Sequence, residues 1–267
     1  MKTSAFLFLV LITAVSATAR EVILLGSADA RDTAPRLAVV AGGTLTIDVV
    51  VPASLDRSRI VAGLWQASGS LSLPLGEPVA LDGQADAHGI VPVRIEFPKL
   101  ERKARIFVEF TAKDEPRATL GLAHVQVYPP FDWAPITRKL KKDGLRLLVF
   151  GADETLRAFF KTRDVGFEDN GDNPPDRLDR DTLAVGALTP KSWLERKDRL
   201  APEGGGLIVF VVPDDGLPGV YTQAAGEGAI TKVTLPVLAR LAEDPRGEDL
   251  LFQLIEQHLH TAPAANP

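Results

Sequence analysis

Short segments in which apolar and polar residues alternate dominate the chain from about residue 20 to residue 130. In residues 44–51, for example, Leu45, Ile47 and Val49 fall on one face of an extended chain. Six further segments are short and often rich in β-branched or aromatic residues, with turn-forming residues between them: 21–25, 60–66, 77–81, 90–97, 104–111 and 121–128. Short strands at this spacing predict an antiparallel β-sandwich over residues 20–130.

The seven predicted strands match the count of an immunoglobulin-like sandwich. The sequence contains no cysteine, so the Cys…Trp…Cys pattern of true immunoglobulin domains is absent and the prediction concerns the architecture only. Pro129 and Pro130 end the last strand, because proline has no amide hydrogen to donate to a sheet. Residues 131–143 are predicted to be a linker with a short helix, in which Phe131 and Trp133 pack between the domains.

After Gly144 the pattern changes to alternating strands and helices. The segments 145–150 (LRLLVF) and 207–212 (LIVFVV) are almost continuously apolar, which is typical of parallel strands buried on both faces. Further strands are predicted at 165–167, 183–188 and 229–235, and helices are predicted to begin near Asp153, at Thr189-Pro190 (with Trp193, Leu194 and Leu200 inward) and at Asp244-Pro245. This order predicts a small doubly wound, mostly parallel α/β domain over residues 144–260, followed by a disordered tail at 261–267.

The N-terminus has the pattern of a cleavable secretory signal. Lys2 supplies a positive charge, residues 5–15 are apolar apart from Thr13, and Ala17-Thr18-Ala19 forms an A-x-A cleavage site. The apolar stretch is shorter than the roughly 20 residues that span a bilayer, and no later segment resembles a membrane span. We therefore expect residues 1–19 to be a signal peptide and the mature chain to be exported, to the periplasm or the extracellular space.

Part of the C-terminal sequence resembles a known family. The string DTLAVGAL at 181–188, a helix, and then GGGLIVF at 204–210 look like class I glutamine-amidotransferase-like domains. Gly226-Glu227-Gly228 before a strand, and LAEDP at 241–245 before a leucine-rich helix, are similar to degenerate members of that family in exported bacterial proteins. The resemblance covers residues 144–260 and implies a flavodoxin-like α/β fold.

The resemblance also argues against the chemistry of the family. Active members carry a cysteine on a tight turn after a buried strand, with a histidine and a carboxylate later in the chain. Here the turn after 207–212 begins Pro213-Asp214-Asp215, and no cysteine occurs anywhere in the sequence.

Charge and histidine positions exclude other classes of function. The net charge of −5 does not favour a nucleic-acid partner, and the basic residues at 138–142 are interpreted as the solvated face of a short helix. His88 and His124 belong to the predicted sandwich, and no zinc-site spacing is present. His258 and His260 are expected at the end of the last helix, where positive charge interacts favourably with the helix dipole. Ser192 lacks the G-x-S-x-G context of a nucleophile.

An acidic loop at 168–181 is the most distinctive polar feature of the sequence. Its crowded oxygen ligands could bind calcium, with Asp169, Asp172 and Asp176 as candidate ligands. The spacing does not fit an EF-hand loop, and Arg177 and Arg180 could instead pair with the carboxylates. We interpret the segment as a solvated, turn-rich loop and predict no cofactor.

Carboxylates also follow the predicted strands of the α/β domain: Asp153 and Glu154, Glu168 and Asp169, and Asp214 and Asp215. Because the crevice of an open α/β sheet lies beyond the carboxyl ends of its strands, these groups could converge. Our main hypothesis is nevertheless a non-catalytic exported binding or assembly protein with a protein or glycan partner, in which Asp153 caps a helix and Asp214-Asp215 forms a turn. The alternative is a secreted hydrolase, active on carbohydrate, with Asp153, Glu154, Asp214 and Asp215 as catalytic carboxylates.

Overall fold

The structure is a computed structural model that describes residues 22–27, 34–68, 71–81, 83–197, 202–211 and 218–261. Its contacts divide the chain between Phe131 and Asp132 into two compact units. Within the described residues the protein is rich in β-sheet, with a smaller share of α-helix, and none of their helices is both long and apolar enough to cross a bilayer. The predicted signal peptide, the tail at 262–267, and Asp214 and Asp215 lie outside the described residues.

The described residues of the N-terminal unit form two sheets. Its strands are β1 (Val22–Leu24), β2 (Arg36–Val40), β3 (Thr44–Val50), β4 (Ile60–Ser68), β5 (Leu71–Pro74), β6 (Val79–Ala80), β7 (Ile90–Glu96), β8 (Ala104–Ala112) and β9 (Glu115–Tyr128). One sheet has the order β1-β3-β7, and the other has the order β2-β9-β8-β4-β5, with β6 also paired to β4. Most neighbours are antiparallel, whereas β1 with β3 and β2 with β9 are parallel, so the prediction of a wholly antiparallel arrangement is wrong at these two pairs.

Period-two alternation builds the core of this unit. In β8, Ile106, Val108 and Phe110 are fully buried, while Phe107 and Glu109 lie on the opposite face. The buried faces of both sheets join in one apolar cluster. All seven predicted segments contain strands, but β2 and β5 were not predicted. In β5 every residue is exposed, so the strand carries no buried face that the sequence pattern could reveal.

The C-terminal unit combines a parallel sheet with helices. Its elements are α1 (Ala134–Lys142), β10 (Arg146–Phe150), α2 (Thr155–Thr162), β11 (Glu168–Asp169), β12 (Leu178–Asp179), β13 (Thr182–Leu188), α3 (Pro190–Arg196), β14 (Pro202–Glu203), β15 (Gly206–Val211), β16 (Val220–Ala225), β17 (Gly228–Val233) and α4 (Pro245–Thr261). The main sheet has the order β11-β10-β13-β15-β17-β16. All neighbours in it are parallel except β16 with β17, and β12 pairs separately with β14.

Helix α1 belongs to the core of this unit and is not a linker element. Its Ile136 and Leu140 are buried. Just before it, the ring of Trp133 packs edge-on against Phe159 and Phe252 at centroid distances of 5.6 and 5.1 Å. Trp133 therefore packs within the C-terminal unit, whereas the sequence pattern had predicted a position between the domains.

Two local predictions in this unit were wrong, and some of its strands were not predicted. The strand expected at 165–167 lies at Glu168–Asp169, and the antiparallel strand β16 was not predicted. Leu194, expected to face inward on α3, is 61% exposed. Thr189 does cap α3 as predicted, since its side chain accepts a hydrogen bond from the Ser192 amide.

Candidate functional site

The carboxyl ends of β10 and β13 are packed closely against each other. Gly151, directly after β10, has φ 108°, and a Cβ atom at this position would lie 2.7 Å from the carbonyl oxygen of Ala187. One residue earlier, the ring of Phe150 covers Gly186, where a Cβ atom would lie 2.4 Å from the ring. Side-chain and backbone atoms therefore fill the space between these strand ends.

Arg157 of α2 holds the loops that follow β10 and β11. Its side chain is only 5% exposed. The guanidinium makes a two-pronged contact with Asp169, at 3.0 Å from Nε and 2.9 Å from Nη2. It also donates to the carbonyl oxygens of Gly151 at 2.7 Å and Gly171 at 2.9 Å. The hydrogen bond with Asp169 raises the pKa of Arg157 and lowers the pKa of Asp169.

The acidic residues predicted at the strand ends take structural roles in the part of the chain described. Glu154 lies 3.2 Å from Arg157, and Glu168 lies 3.9 Å from Arg146. Asp153 accepts a hydrogen bond from the Thr155 amide at 2.8 Å, at the turn that starts α2. Asp153 was predicted to be the N-cap residue of α2. The N-cap position is instead Glu154, whose side chain makes no capping hydrogen bond.

Two arginines of the acidic loop form ion pairs with glutamates outside the loop. Arg177 pairs with Glu203 at 2.6 Å, and Arg180 pairs with Glu227 at 2.7 Å. Asp169, the first candidate calcium ligand, binds the Arg157 guanidinium where a metal ion would have to lie. Among the described residues, which include Asp172 and Asp176, no group of three His, Asp or Glu side chains could hold a metal ion.

His258 contradicts the expectation of a charged histidine at the end of α4. It is 7% exposed, and its Nε2 lies 3.0 Å from the hydroxyl of Thr231 on β17. Burial lowers the pKa of His258 to about 4, so the ring is neutral at pH 7 and contributes no charge to the helix terminus. Its place on the buried face of α4 could have been read from its spacing of four residues after Leu254.

A small pocket of about 150 Å³ lies next to His258. Its walls include Gly204 to Gly206 at the start of β15 and the exposed Arg180–Glu227 pair. A Cβ atom on Gly206 would lie 2.6 Å from His258 Nδ1, so glycine at this position makes room for the imidazole. The pocket thus lies at the amino ends of β13, β15 and β17, opposite the edge where α/β folds usually bind ligands.

A second cleft lies on the outer face of the larger N-terminal sheet. Its volume is about 320 Å³, and it is lined by Trp65, Ser72, Phe107, Glu109, Thr119 and Leu122. Strand register places Trp65 of β4, Phe107 of β8 and His124 of β9 in one row across the sheet. Glu109 and Leu122 pair in the adjacent row on the same face. We call this feature the aromatic cleft.

Contacts inside the aromatic cleft fix its side chains. The indole Nε1 of Trp65 lies 3.1 Å from where a Cβ atom on Gly63 would be, so glycine lets the indole lie close to the sheet. Phe107 meets the ring of His124 edge-on at 4.9 Å. On the other side, the Thr119 hydroxyl donates a hydrogen bond to the Glu109 carboxylate.

His124, which lies beside Phe107 at the edge of the cleft, has a lowered pKa. Burial lowers the pKa of His124, and the positive charges of Arg105 and Arg36 lower it further. The sequence pattern had indicated no functional role for Trp65, Phe107 or Glu109. The signal was present in the alternation of β4 and β8, where Trp65 and Phe107 occupy positions on the face opposite the core.

Comparisons with known proteins identify no family for the chain. No family model and no curated protein sequence matches it. Among solved structures, the extracellular domains of the voltage-gated sodium channel β4 subunit align with 37% of this chain and 93% of their own, at 9% identity and a TM-score of 0.23. A sialyltransferase from Photobacterium damsela aligns with 67% of this chain and 35% of its own, at 9% identity and a TM-score of 0.19. Both likenesses are too weak to support any inference about function.

Proposed function

We propose that the mature chain is an exported, non-catalytic binding protein, and that its ligand-binding surface is the aromatic cleft. The observation that carries this proposal is the row of Trp65 and Phe107 on the solvent face of a sheet, next to the anchored carboxylate of Glu109. Ligand sites combine apolar and aromatic walls with a few placed polar groups, in clefts of about 300 to 1,000 Å³. Residues that dominate binding energy are enriched in tryptophan and lie in well-packed pockets, and the indole of Trp65 packs closely over Gly63.

The proposal includes the finer fold assignments. An immunoglobulin-like sandwich is supported by the single apolar cluster shared by the two N-terminal sheets. A flavodoxin-like α/β domain is supported by the order of its parallel strands. Counted along the chain, the parallel strands 1 to 5 are β10, β11, β13, β15 and β17. Across the sheet they lie in the order 2-1-3-4-5, which is the flavodoxin-like order. The likeness to degenerate amidotransferase-like domains stays a prediction from the sequence.

The C-terminal unit supports a non-catalytic role. A glycosidase needs two carboxyl groups on either side of the scissile bond in an open cleft. Arg157 instead binds Asp169 and approaches Glu154, and the neighbouring strand ends are packed against each other. The secreted-hydrolase alternative therefore has less support from the described residues than the binding role.

Retention on cell-envelope material from the source organism tests the binding role. The mature chain, Trp65→Ala and Leu73→Ala would be incubated with that material, and the free fraction would be measured after sedimentation. Leu73 is a matched control because it is 51% exposed on the neighbouring strand β5 but does not line the cleft. We expect retention of the wild type and Leu73→Ala, and a loss of at least about tenfold in affinity for Trp65→Ala, since anchor residues contribute about 2 kcal/mol or more. Equal retention of all three proteins, or of none, would refute the proposal.

A further inference from the structure

The polar and apolar groups of the aromatic cleft point to one class of ligand. We propose that the cleft binds a ring of a neutral saccharide, with Trp65 against one face of the ring and Glu109 at its hydroxyl edge. This inference rests on the proposed binding role and names its ligand. It depends on three features of the cleft: an aromatic surface close to the sheet, fixed polar groups beside it, and a charge balance that disfavours ions.

The aromatic surface matches the C–H faces of a pyranose ring. The face of an aromatic ring is the negative part of its quadrupole, and the axial C–H bonds of a sugar carry small positive charges toward it. Because residue 63 is glycine, the indole of Trp65 lies close to the backbone of β4. Phe107 lies beside Trp65 on the neighbouring strand β8 and extends the aromatic surface. Trp65 and Phe107 are each half-buried, so part of each ring stays accessible from solvent.

The polar groups lie beside this surface and match the edge of a sugar ring. The Glu109 carboxylate is oriented by the Thr119 hydroxyl, and a second hydroxyl, from Ser72, also lines the cleft. Carboxylates form hydrogen bonds roughly twice as strong as those between neutral groups, so Glu109 is suited to accept bonds from sugar hydroxyls. A ligand with both an apolar face and several hydroxyl donors uses both parts of the cleft.

The charges around the cleft argue for a neutral ligand. Aromatic rings with a carboxylate can also bind quaternary ammonium groups. However, Arg105 lies two residues before Phe107 on β8 and on the same face of the sheet, and its positive charge opposes a cation. Glu109 inside the cleft would repel an anion. A neutral polyhydroxylated ring avoids both penalties.

Calorimetric titration of the mature chain with defined probes tests this inference. The probes are neutral tetrasaccharides of glucose, mannose, galactose and N-acetylglucosamine, with choline and a galacturonate tetramer as charged comparisons. We expect at least one neutral probe to bind the wild type and Leu73→Ala. The same probe should bind Trp65→Ala at least about tenfold more weakly. It should bind Glu109→Gln at least about fivefold more weakly, because a neutral amide oxygen replaces the charged acceptor of one hydrogen bond. Trp65→Phe keeps an aromatic ring and should retain intermediate affinity, which separates stacking from a fold defect.

Three outcomes would overturn the inference: no neutral probe binds, binding survives in Trp65→Ala, or choline or galacturonate binds in preference to every neutral probe. A periodate step separates this failure from failure of the proposed function, because periodate cleaves the vicinal diols of sugars. If periodate-treated envelope material still retains the wild type in a Trp65-dependent way and no neutral saccharide probe binds, the binding role stands and the saccharide assignment falls. If retention never depends on Trp65, both fall.

Discussion

His258 should make the C-terminal unit lose stability as the pH falls from 7 to 4. In the folded protein the imidazole is buried beside Thr231, and burial lowers its pKa from 6.5 to about 4. In the unfolded chain the same ring takes up a proton near its ordinary pKa. Between these two values the unfolded state binds more protons than the folded state, so acid favours unfolding.

The magnitude follows from the two pKa values. The difference between 6.5 and about 4, at about 1.4 kcal/mol per pH unit, gives a loss of about 3 kcal/mol between pH 7 and pH 4. The loss begins as the pH falls through 6.5 and levels off below about 4, where both states are protonated. Such a loss is large for a domain whose total stability is about 5 to 15 kcal/mol.

Urea unfolding at pH 7, 6, 5 and 4 measures this effect in His258→Gln and its parent. Both proteins would carry Trp65→Phe, because the two remaining tryptophans, Trp133 and Trp193, then report on the C-terminal unit alone. Glutamine keeps a polar group near Thr231 and does not titrate. His260→Gln is the matched control, since His260 is exposed on the same helix turn.

The parent and His260→Gln should lose about 3 kcal/mol more than His258→Gln over this pH range. The comparison with His258→Gln removes the contribution of all other titrating groups. Parallel pH profiles for the parent and His258→Gln would refute the assignment of a buried neutral imidazole.

Two further predictions concern the strand ends of the C-terminal unit. Arg157→Met removes the donor to the carbonyl oxygens of Gly151 and Gly171 and should lower the free energy of unfolding by about 2 to 4 kcal/mol in urea titration. Asp169→Asn changes a carboxylate that is 54% exposed and should lower the free energy of unfolding by less than about 1 kcal/mol. Equal losses for the two variants would contradict the role given to the buried guanidinium. Gly186→Ala places a methyl group against the Phe150 ring and should cost about 1 to 3 kcal/mol, and Phe150→Leu should offset part of that cost in the double mutant. Independent, additive costs would show that the two residues do not share this contact.

The sequence by itself determined most of the regular elements. Alternation located β3, β7 and β8, because alternate apolar residues of each strand lie in the core of the N-terminal unit. Continuous apolar runs located β10 and β15, which are buried on both faces. The Thr189-Pro190 start of α3 was also readable, because a helix cap depends on residues adjacent in sequence.

The edge strands β5 and β16 could not be predicted in the same way. Strand β5 has no buried residue, and β16 has none either. Both exist because a neighbouring strand supplies hydrogen bonds. In both strands the pairing with a neighbour, and not burial in the core, accounts for the extended structure.

Tertiary structure alone decided the candidate sites. Trp65 and Phe107 lie far apart in sequence and become neighbours only through the register of β4 with β8. Asp153, Glu154 and Asp169 were expected near strand ends, but the roles of Glu154 and Asp169 depend on Arg157, which contacts both from α2. The protonation state of His258 likewise depends on how α4 packs near Gly206. Burial and charge balance arise from groups brought together over long sequence distances, so sequence could predict which residues were available for function but not what each would contact.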